Sequence, residues 1–165
     1  MSDRLEDLRR RVEKDPASIA FAQLAEECRR LGRHQESIDI CRDGLNRHPG
    51  YLSARVTLGR SLLHLGQLDE AEQELESVLQ GAPENLAALR AMGDIYRRRD
   101  DIPHALAQYQ AALRLAPGDP ELERGIEELS EALTRSRENV RVRAVVAALE
   151  QWLAAIHVAR AQPSA

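Results

Sequence analysis

The sequence has 165 residues, of which 43% are hydrophobic and only 3% aromatic, and its formal net charge at pH 7 is −4. This length suits one domain. A core so poor in aromatic residues is typical of helical repeats rather than of sandwiches or barrels, and an acidic chain with mixed charges argues against a nucleic-acid-binding protein.

Two features bear on where the protein works. No apolar run reaches the ~18 residues that a membrane-spanning helix needs, and the N-terminal segment is charged throughout, unlike a signal peptide. Every basic residue except Lys14 is Arg, which is typical of a GC-rich genome. We therefore expect a cytoplasmic protein of bacterial origin that does not insert into membranes.

The first predicted element is a short helix over residues 1–14. Its apolar residues Leu5, Leu8 and Val12 lie three and four positions apart, which is the spacing of an amphipathic helix. We expect this N-terminal helix to cap the unit that follows it, because the end unit of a stacked array exposes an apolar flank.

Residues 15–116 contain one pattern three times, with a period of 34 residues. Pro49, Pro83 and Pro117 occupy equivalent positions, at which a helix cannot continue. Each unit is predicted to form two helices joined by a short turn, and Gly66 in the middle unit suits a helix end with positive φ. A fixed period of this length predicts stacked helical hairpins rather than one globule. The three units span residues 15–48, 49–82 and 83–116.

Two more helices are predicted after the repeats. Residues 117–136 are expected to cap the last unit, and residues 137–161 are expected to form a longer amphipathic helix before a disordered tail at 162–165. The apolar stripe of the longer helix, spaced alternately three and four residues apart, comprises Val142, Val145, Leu149, Trp152 and Ile156.

This stripe fits four arrangements. They are a homotypic interface, which implies a homodimer, a docking surface for another protein, a helix lying on a membrane surface, and a helix folded back onto the last repeat. The polar face is not notably basic beyond Arg141 and Arg143, which disfavours the membrane surface. The other three arrangements remain open.

Large and small residues alternate at equivalent positions in the three units. Leu24, Leu58 and Met92 are each followed by a small residue, Ala25, Gly59 and Gly93 respectively. This alternation resembles the tetratricopeptide repeat over residues 15–116. The resemblance implies an all-α, right-handed α-solenoid of helix-turn-helix repeats with a C-terminal capping helix, here extended by the long amphipathic helix. It also implies a protein–protein interaction scaffold.

Helix geometry predicts which surface of these repeats stays open. In the first helix of each unit, residues at ~100° intervals divide into a packing side and an opposite side. When units stack with a small rotation, the opposite sides line one concave groove. The residues predicted to line it are Ile19, Ala22, Glu26, Arg29, Arg30, Val56, Arg60, Leu63, His64, Arg90, Asp94, Arg97 and Arg98.

The predicted groove is basic although the chain is acidic. Guanidinium groups pair with oxyanions in bidentate geometry, which favours an acidic or phosphorylated peptide, or a free C-terminal carboxylate, as ligand. The alternative is that ion pairs four residues apart on one helix neutralise the arginines. Such pairs would join Glu26 to Arg30 and Asp94 to both Arg90 and Arg98.

Nothing in the sequence indicates catalysis, a cofactor or a metal site. The five His residues are dispersed, and none lies at ligand spacing from a Cys or a carboxylate. Phosphate-binding loops, nucleophile elbows and the HExxH motif are absent from the sequence. Cys28 and Cys41 replace large residues of the other units, so we interpret them as buried apolar side chains rather than as a disulfide or a reactive pair.

Two functions therefore remain open. The first is a non-catalytic scaffold or adaptor that binds an acidic or extended peptide segment of a partner protein in the groove. The second is a structural oligomer or assembly adaptor that associates through residues 137–161. Type III secretion chaperones also hold three such repeats, but this likeness is weaker. The family's two-carboxylate clamp for chaperone C-termini is not expected, because Ala22 and Glu26 stand where that clamp requires Lys and Asn.

Overall fold

The computed structural model describes residues 3–15 and 18–161, and these form eight α-helices and no strand. Helices α2 to α7 pair as three hairpins, and the hairpins stack in chain order. The predicted all-α solenoid is confirmed, whereas the predicted tail at 162–165 lies outside the described residues. The helices are α1 Asp3–Lys14, α2 Ala20–Arg30, α3 His34–Arg47, α4 Leu52–His64, α5 Leu68–Gly81, α6 Leu86–Arg98, α7 Ile102–Leu115 and α8 Pro120–Ala161.

The three hairpins turn at equivalent residues. Gly32, Gly66 and Asp100 lie 34 residues apart and have φ values of 76°, 77° and 59°. In each turn the residue after the positive-φ residue donates its amide to the carbonyl five residues before it. These hydrogen bonds are 2.9 to 3.0 Å long, as in a Schellman motif. Glycine adopts positive φ without a Cβ penalty, whereas Asp100 adopts it at a cost. The neighbouring Asp101 accepts a hydrogen bond from the His104 amide and so caps α7.

The small residues predicted between paired helices allow close packing. Leu58 and Met92 are each 3% exposed, and the glycine after each lies against the second helix of its hairpin. A Cβ at Gly59 would lie 2.7 Å from Leu75 Cγ, and one at Gly93 would overlap the Tyr109 ring. Glycine at these positions therefore lets the two helices of a hairpin approach one another.

Helix α1 packs against the first hairpin. Leu5 and Leu8 are buried in a cluster with Leu24 and Cys28, and Val12 packs at its edge. This is the apolar face that the spacing of leucines predicted. It covers the flank of α2 that faces away from the other repeats.

The two cysteines are free and fully buried in α2 and α3. Burial raises the pKa of Cys28 to about 11 and that of Cys41 to about 12, so neither is a thiolate at neutral pH. We expect the native protein at about pH 8 to react with a disulfide reagent such as DTNB at least tenfold more slowly than the protein unfolded in guanidinium. Rapid reaction of either thiol in the native state would contradict the buried packing.

The C-terminal region corrects one prediction. Two helices were expected, meeting near residue 136, but α8 is one helix of 42 residues. No Pro or Gly lies between residues 126 and 161, so nothing in this stretch forces the helix to end. Leu122 and Leu129 pack into the last hairpin, whereas every residue from 134 to 155 is exposed. The arrangement in which this segment folds back onto the last repeat is therefore not the one adopted.

Candidate peptide-binding groove

The first helices of the three hairpins, α2, α4 and α6, lie side by side and enclose a groove. A cavity of about 470 Å³ lies between α2 and α4, and one of about 570 Å³ lies between α4 and α6. Arg60 and Ala87 line both cavities, so the cavities meet at these residues. A third cavity of about 310 Å³ continues between α6 and the start of α8.

Most of the predicted groove residues line these cavities, and three of them do not. Ala22, Val56 and Leu63 are at most 8% exposed and form an apolar floor. Ile19 lies outside the groove, in a separate depression beside the end of α1. Arg29 and Arg98 lie outside the three cavities. The predicted residues that line them are Ala22, Glu26, Arg30, Val56, Arg60, Leu63, His64, Arg90, Asp94 and Arg97.

The cavities also have walls that the helical wheel of the first helices does not predict. Tyr51 and Asn85 lie just before α4 and α6, and both line the first cavity. They are 34 residues apart, so the repeat period applied to helix starts would have predicted them together. Arg4 comes from α1 and Glu121 from α8. No wheel of α2, α4 or α6 can place residues from neighbouring helices.

Most of the groove arginines are held in ion pairs. On α2, Arg29 binds Glu26 at 2.7 Å, and Arg30 lies 3.7 Å from Glu27. These pairs join residues three apart, and the predicted pairing of Glu26 with Arg30 does not form. Burial opposes ionisation of Glu26, but hydrogen bonds from Arg29 and Thr57 outweigh it and hold the pKa of that carboxyl below its usual value.

The arginines of α6 are also satisfied within the fold. Arg97 lies 3.3 Å from Asp94, and Arg98 donates to the carbonyl of Leu63 on α4. Arg90 does not bind Asp94, as the sequence spacing suggested, because two carboxylates at the start of α8 lie within its reach. These carboxylates are Asp119, at 2.7 Å, and Glu121, at 2.6 Å. Most of the groove arginines are therefore neutralised by ion pairs, as the alternative from the sequence proposed, but their partners differ from those that the spacing predicted.

Arg60 is the exception at the centre of the groove. Among residues 3–15 and 18–161, no carboxylate lies within ion-pair distance of its guanidinium and no hydrogen bond is formed by it. Burial, followed by the charges of Arg29 and Arg90, holds the pKa of Arg60 below its usual value, against the attraction of Glu26 and Asp94. Arginine nevertheless stays protonated at neutral pH. A half-buried cation without a counter-ion is costly, and a bound oxyanion would offset that cost.

A stacked pair of histidines lies beside Arg60. His34, at the start of α3, and His64, at the end of α4, have ring centroids 4.3 Å apart and nearly parallel planes. Burial, then the neighbouring His34 and the charges of Arg29 and Arg98, lowers the pKa of His64 below its usual value. At neutral pH His64 is therefore an uncharged group on the groove wall that can both donate and accept hydrogen bonds.

The residues predicted to form an oligomer or partner interface lie far along α8. Val142, Val145, Leu149 and Trp152 are between 54% and 61% exposed, and Ile156 is half-buried. These side chains do not contribute to the groove. The two candidate surfaces of the chain are therefore physically separate.

Two kinds of feature are absent from the described part of the chain. None of its helices has an apolar stretch long enough to cross a lipid bilayer. No three of its His, Cys, Asp or Glu side chains converge as metal ligands would.

Comparison with known sequences indicates a repeat family. Residues 29–95 match the family model described as Tetratricopeptide repeat. Over 92 residues the chain is 28% identical to the Phagocyte signaling-impaired protein of Drosophila pseudoobscura pseudoobscura, a match that covers 56% of this chain and 10% of that protein. The chain thus spans about a tenth or less of the length of the curated relatives it matches.

Solved structures of the same architecture cover more of the chain. The MamA 41-end structure from Desulfovibrio magneticus RS-1 has a TM-score of 0.68 and 21% identity, and the match covers 97% of this chain and 86% of that one. The first TPR of Spaghetti (RPAP3), bound to the HSP90 peptide SRMEEVD, has a TM-score of 0.68 and 17% identity. That match covers 72% of this chain and 94% of the other. At these identities the likeness shows the fold.

Proposed function

We propose that this chain, which belongs to the tetratricopeptide repeat family, is a non-catalytic scaffold or adaptor that binds an extended acidic peptide segment of a partner protein. The observation that carries the proposal is Arg60, a half-buried guanidinium without a partner in the described chain, at the junction of two cavities. A carboxylate or phosphate on the ligand would supply the missing counter-ion in bidentate geometry.

The surroundings of Arg60 define the rest of the ligand. The floor on either side of it is apolar, with Val56 in the first cavity and Leu63 in the second. An extended peptide whose acidic residue meets Arg60 would place neighbouring apolar side chains on this floor. Most of the other arginines of the groove already have partners, so the basic site that we propose is narrower than the sequence predicts.

Two further observations support binding rather than catalysis. The groove carboxylate of Glu26 is ionised and held by Arg29, which suits a structural role better than proton transfer. One neighbour of the same fold is bound to the peptide SRMEEVD, in which three of the seven residues are acidic. We propose that this activity takes place in the bacterial cytoplasm, as expected from the sequence.

Selection from a random peptide display library tests the ligand class even while the partner protein is unidentified. We expect the immobilised protein to enrich sequences in which Asp or Glu flanks apolar residues. Their binding should weaken as salt rises, because screening reduces attraction between exposed charges. Enrichment of basic or purely apolar sequences would contradict the proposal.

A further inference from the structure

The second half of α8 presents an apolar surface that the repeats do not cover. From residue 134 to residue 155 every side chain is exposed, a length of about 30 Å at the rise of an α-helix. Elsewhere in the described chain, large exposed apolar residues occur singly at the ends of helices. The exposed apolar residues of α8 are Val140, Val142, Val145, Val146, Leu149, Trp152 and Leu153.

These residues have the spacing of a helix-pairing seam. Intervals of three and four alternate along the stripe, which is the a and d pattern of a heptad repeat. Val146 and Leu153 each directly follow a residue at a d position, and they widen the seam on one side. On the other side, Ala148 and Ala155 each directly precede a residue at an a position. Their side chains are small, so a second helix can approach closely. The a and d residues are Val142, Val145, Leu149, Trp152 and Ile156.

The exposed area is that of a protein interface. Val140 lies on the opposite side of the helix, and the other six side chains are between 46% and 61% exposed. Together these six present roughly 600 Å² per chain, of the order of the ~800 Å² that each partner buries in a standard interface. Contiguous apolar patches of this size are uncommon on monomers. In proteins most of the stability of a helix comes from tertiary packing of its amphipathic face, and the exposed half of α8 has no such packing within the described chain.

We propose that the seam of α8, residues 142–156, pairs with the same seam of a second copy of this chain. A heptad seam is complementary to another seam of the same period, and among the described residues only α8 carries an exposed one. Pairing of identical surfaces closes on a two-fold axis and does not propagate into a filament. The proposal is independent of the groove, which a dimer joined through α8 leaves open.

Light scattering and sedimentation on the full chain test the pairing. We expect a dimer at about 100 µM that dissociates on dilution. The double variant Leu149→Glu with Trp152→Glu places charges in the seam, and we expect it to be monomeric. The matched control is Ala147→Glu with Ala154→Glu, which adds the same charges on the opposite side of the same helix and should remain dimeric.

Trp152 supplies a second readout, since it is the one tryptophan of the chain. Its emission is expected to shift to shorter wavelength as concentration rises, because pairing removes its side chain from water. At concentrations low enough for the intact chain to be monomeric, unfolding of the repeats should be unchanged in both double variants, because the substituted side chains are exposed and lie beyond the hairpins. A monomeric intact chain, including one that instead binds lipid vesicles or another protein, overturns the proposal. So does a seam variant as dimeric as the control.

Discussion

Replacing Arg60 by Glu is expected to weaken binding of a selected acidic peptide by about a hundredfold. Loss of a hydrogen bond to a charged group costs about 1.5–3 kcal/mol, like-charge repulsion adds to it, and each 1.4 kcal/mol is tenfold in affinity. The guanidinium makes no ion pair or hydrogen bond within the described chain, so its replacement breaks neither. Fluorescence anisotropy of a labelled peptide measures the effect, and the thermal unfolding midpoint of the variant should not fall.

The matched control is Arg114→Glu. Arg114 is exposed near the end of α7, outside the groove, and its reversal changes the net charge by the same amount. We expect this variant to bind the peptide within about twofold of the intact protein, since exposed charges beyond about 10 Å are largely screened at 0.1 M salt. If both reversals weaken binding equally, the effect is one of net charge, and the assignment of Arg60 as the anchor is wrong.

Replacing Gly44 by Ala is expected to destabilise the protein by about 3 kcal/mol, although alanine has the better helix propensity by about 1 kcal/mol. A Cβ at Gly44 would overlap the Phe21 ring. That ring is 2% exposed and is confined by His48, which stacks on it with centroids 5.9 Å apart, and by Tyr51 at 5.8 Å. It therefore cannot move aside without disturbing the junction of the first two hairpins.

Gly81→Ala is the comparison that isolates packing. Gly81 is the last residue of α5, and a Cβ there would lie 3.5 Å from Leu52, an ordinary van der Waals contact. We expect this substitution to be neutral or to stabilise by up to about 1 kcal/mol, through helix propensity alone. Denaturant unfolding of both variants gives the difference. Equal midpoints for Gly44→Ala and Gly81→Ala would refute the confined packing of Phe21.

The repeat architecture was predictable because it depends on local signals that recur. Proline after each second helix and glycine between helices specify where the chain turns, and the 34-residue period shows that the turns are equivalent. Even Asp100, which replaces glycine, adopts the positive φ of Gly32 and Gly66. The small residues at Gly59 and Gly93 likewise indicated where paired helices meet.

The charge state of the groove was not predictable from spacing. A helical wheel places Arg90 and Asp94 as neighbours. It contains no information about other helices, so it cannot show that Arg90 forms ion pairs with Asp119 and Glu121. It also cannot show that Arg60 is left without a partner in the described chain, because that depends on every surrounding helix.

The continuity of α8 was missed for a different reason. A helix end was predicted near residue 136, yet no residue there prevents helix formation.

The groove along α2, α4 and α6 is the peptide-binding surface that we propose. Its most direct test is an NMR titration of isotope-labelled protein with an acidic peptide from the selection. We expect the amide shifts to concentrate around Ala22, from Val56 to Arg60, and from Ala87 to Asp94. Shifts confined to α8 beyond residue 137, or to the second helices α3, α5 and α7, would contradict it.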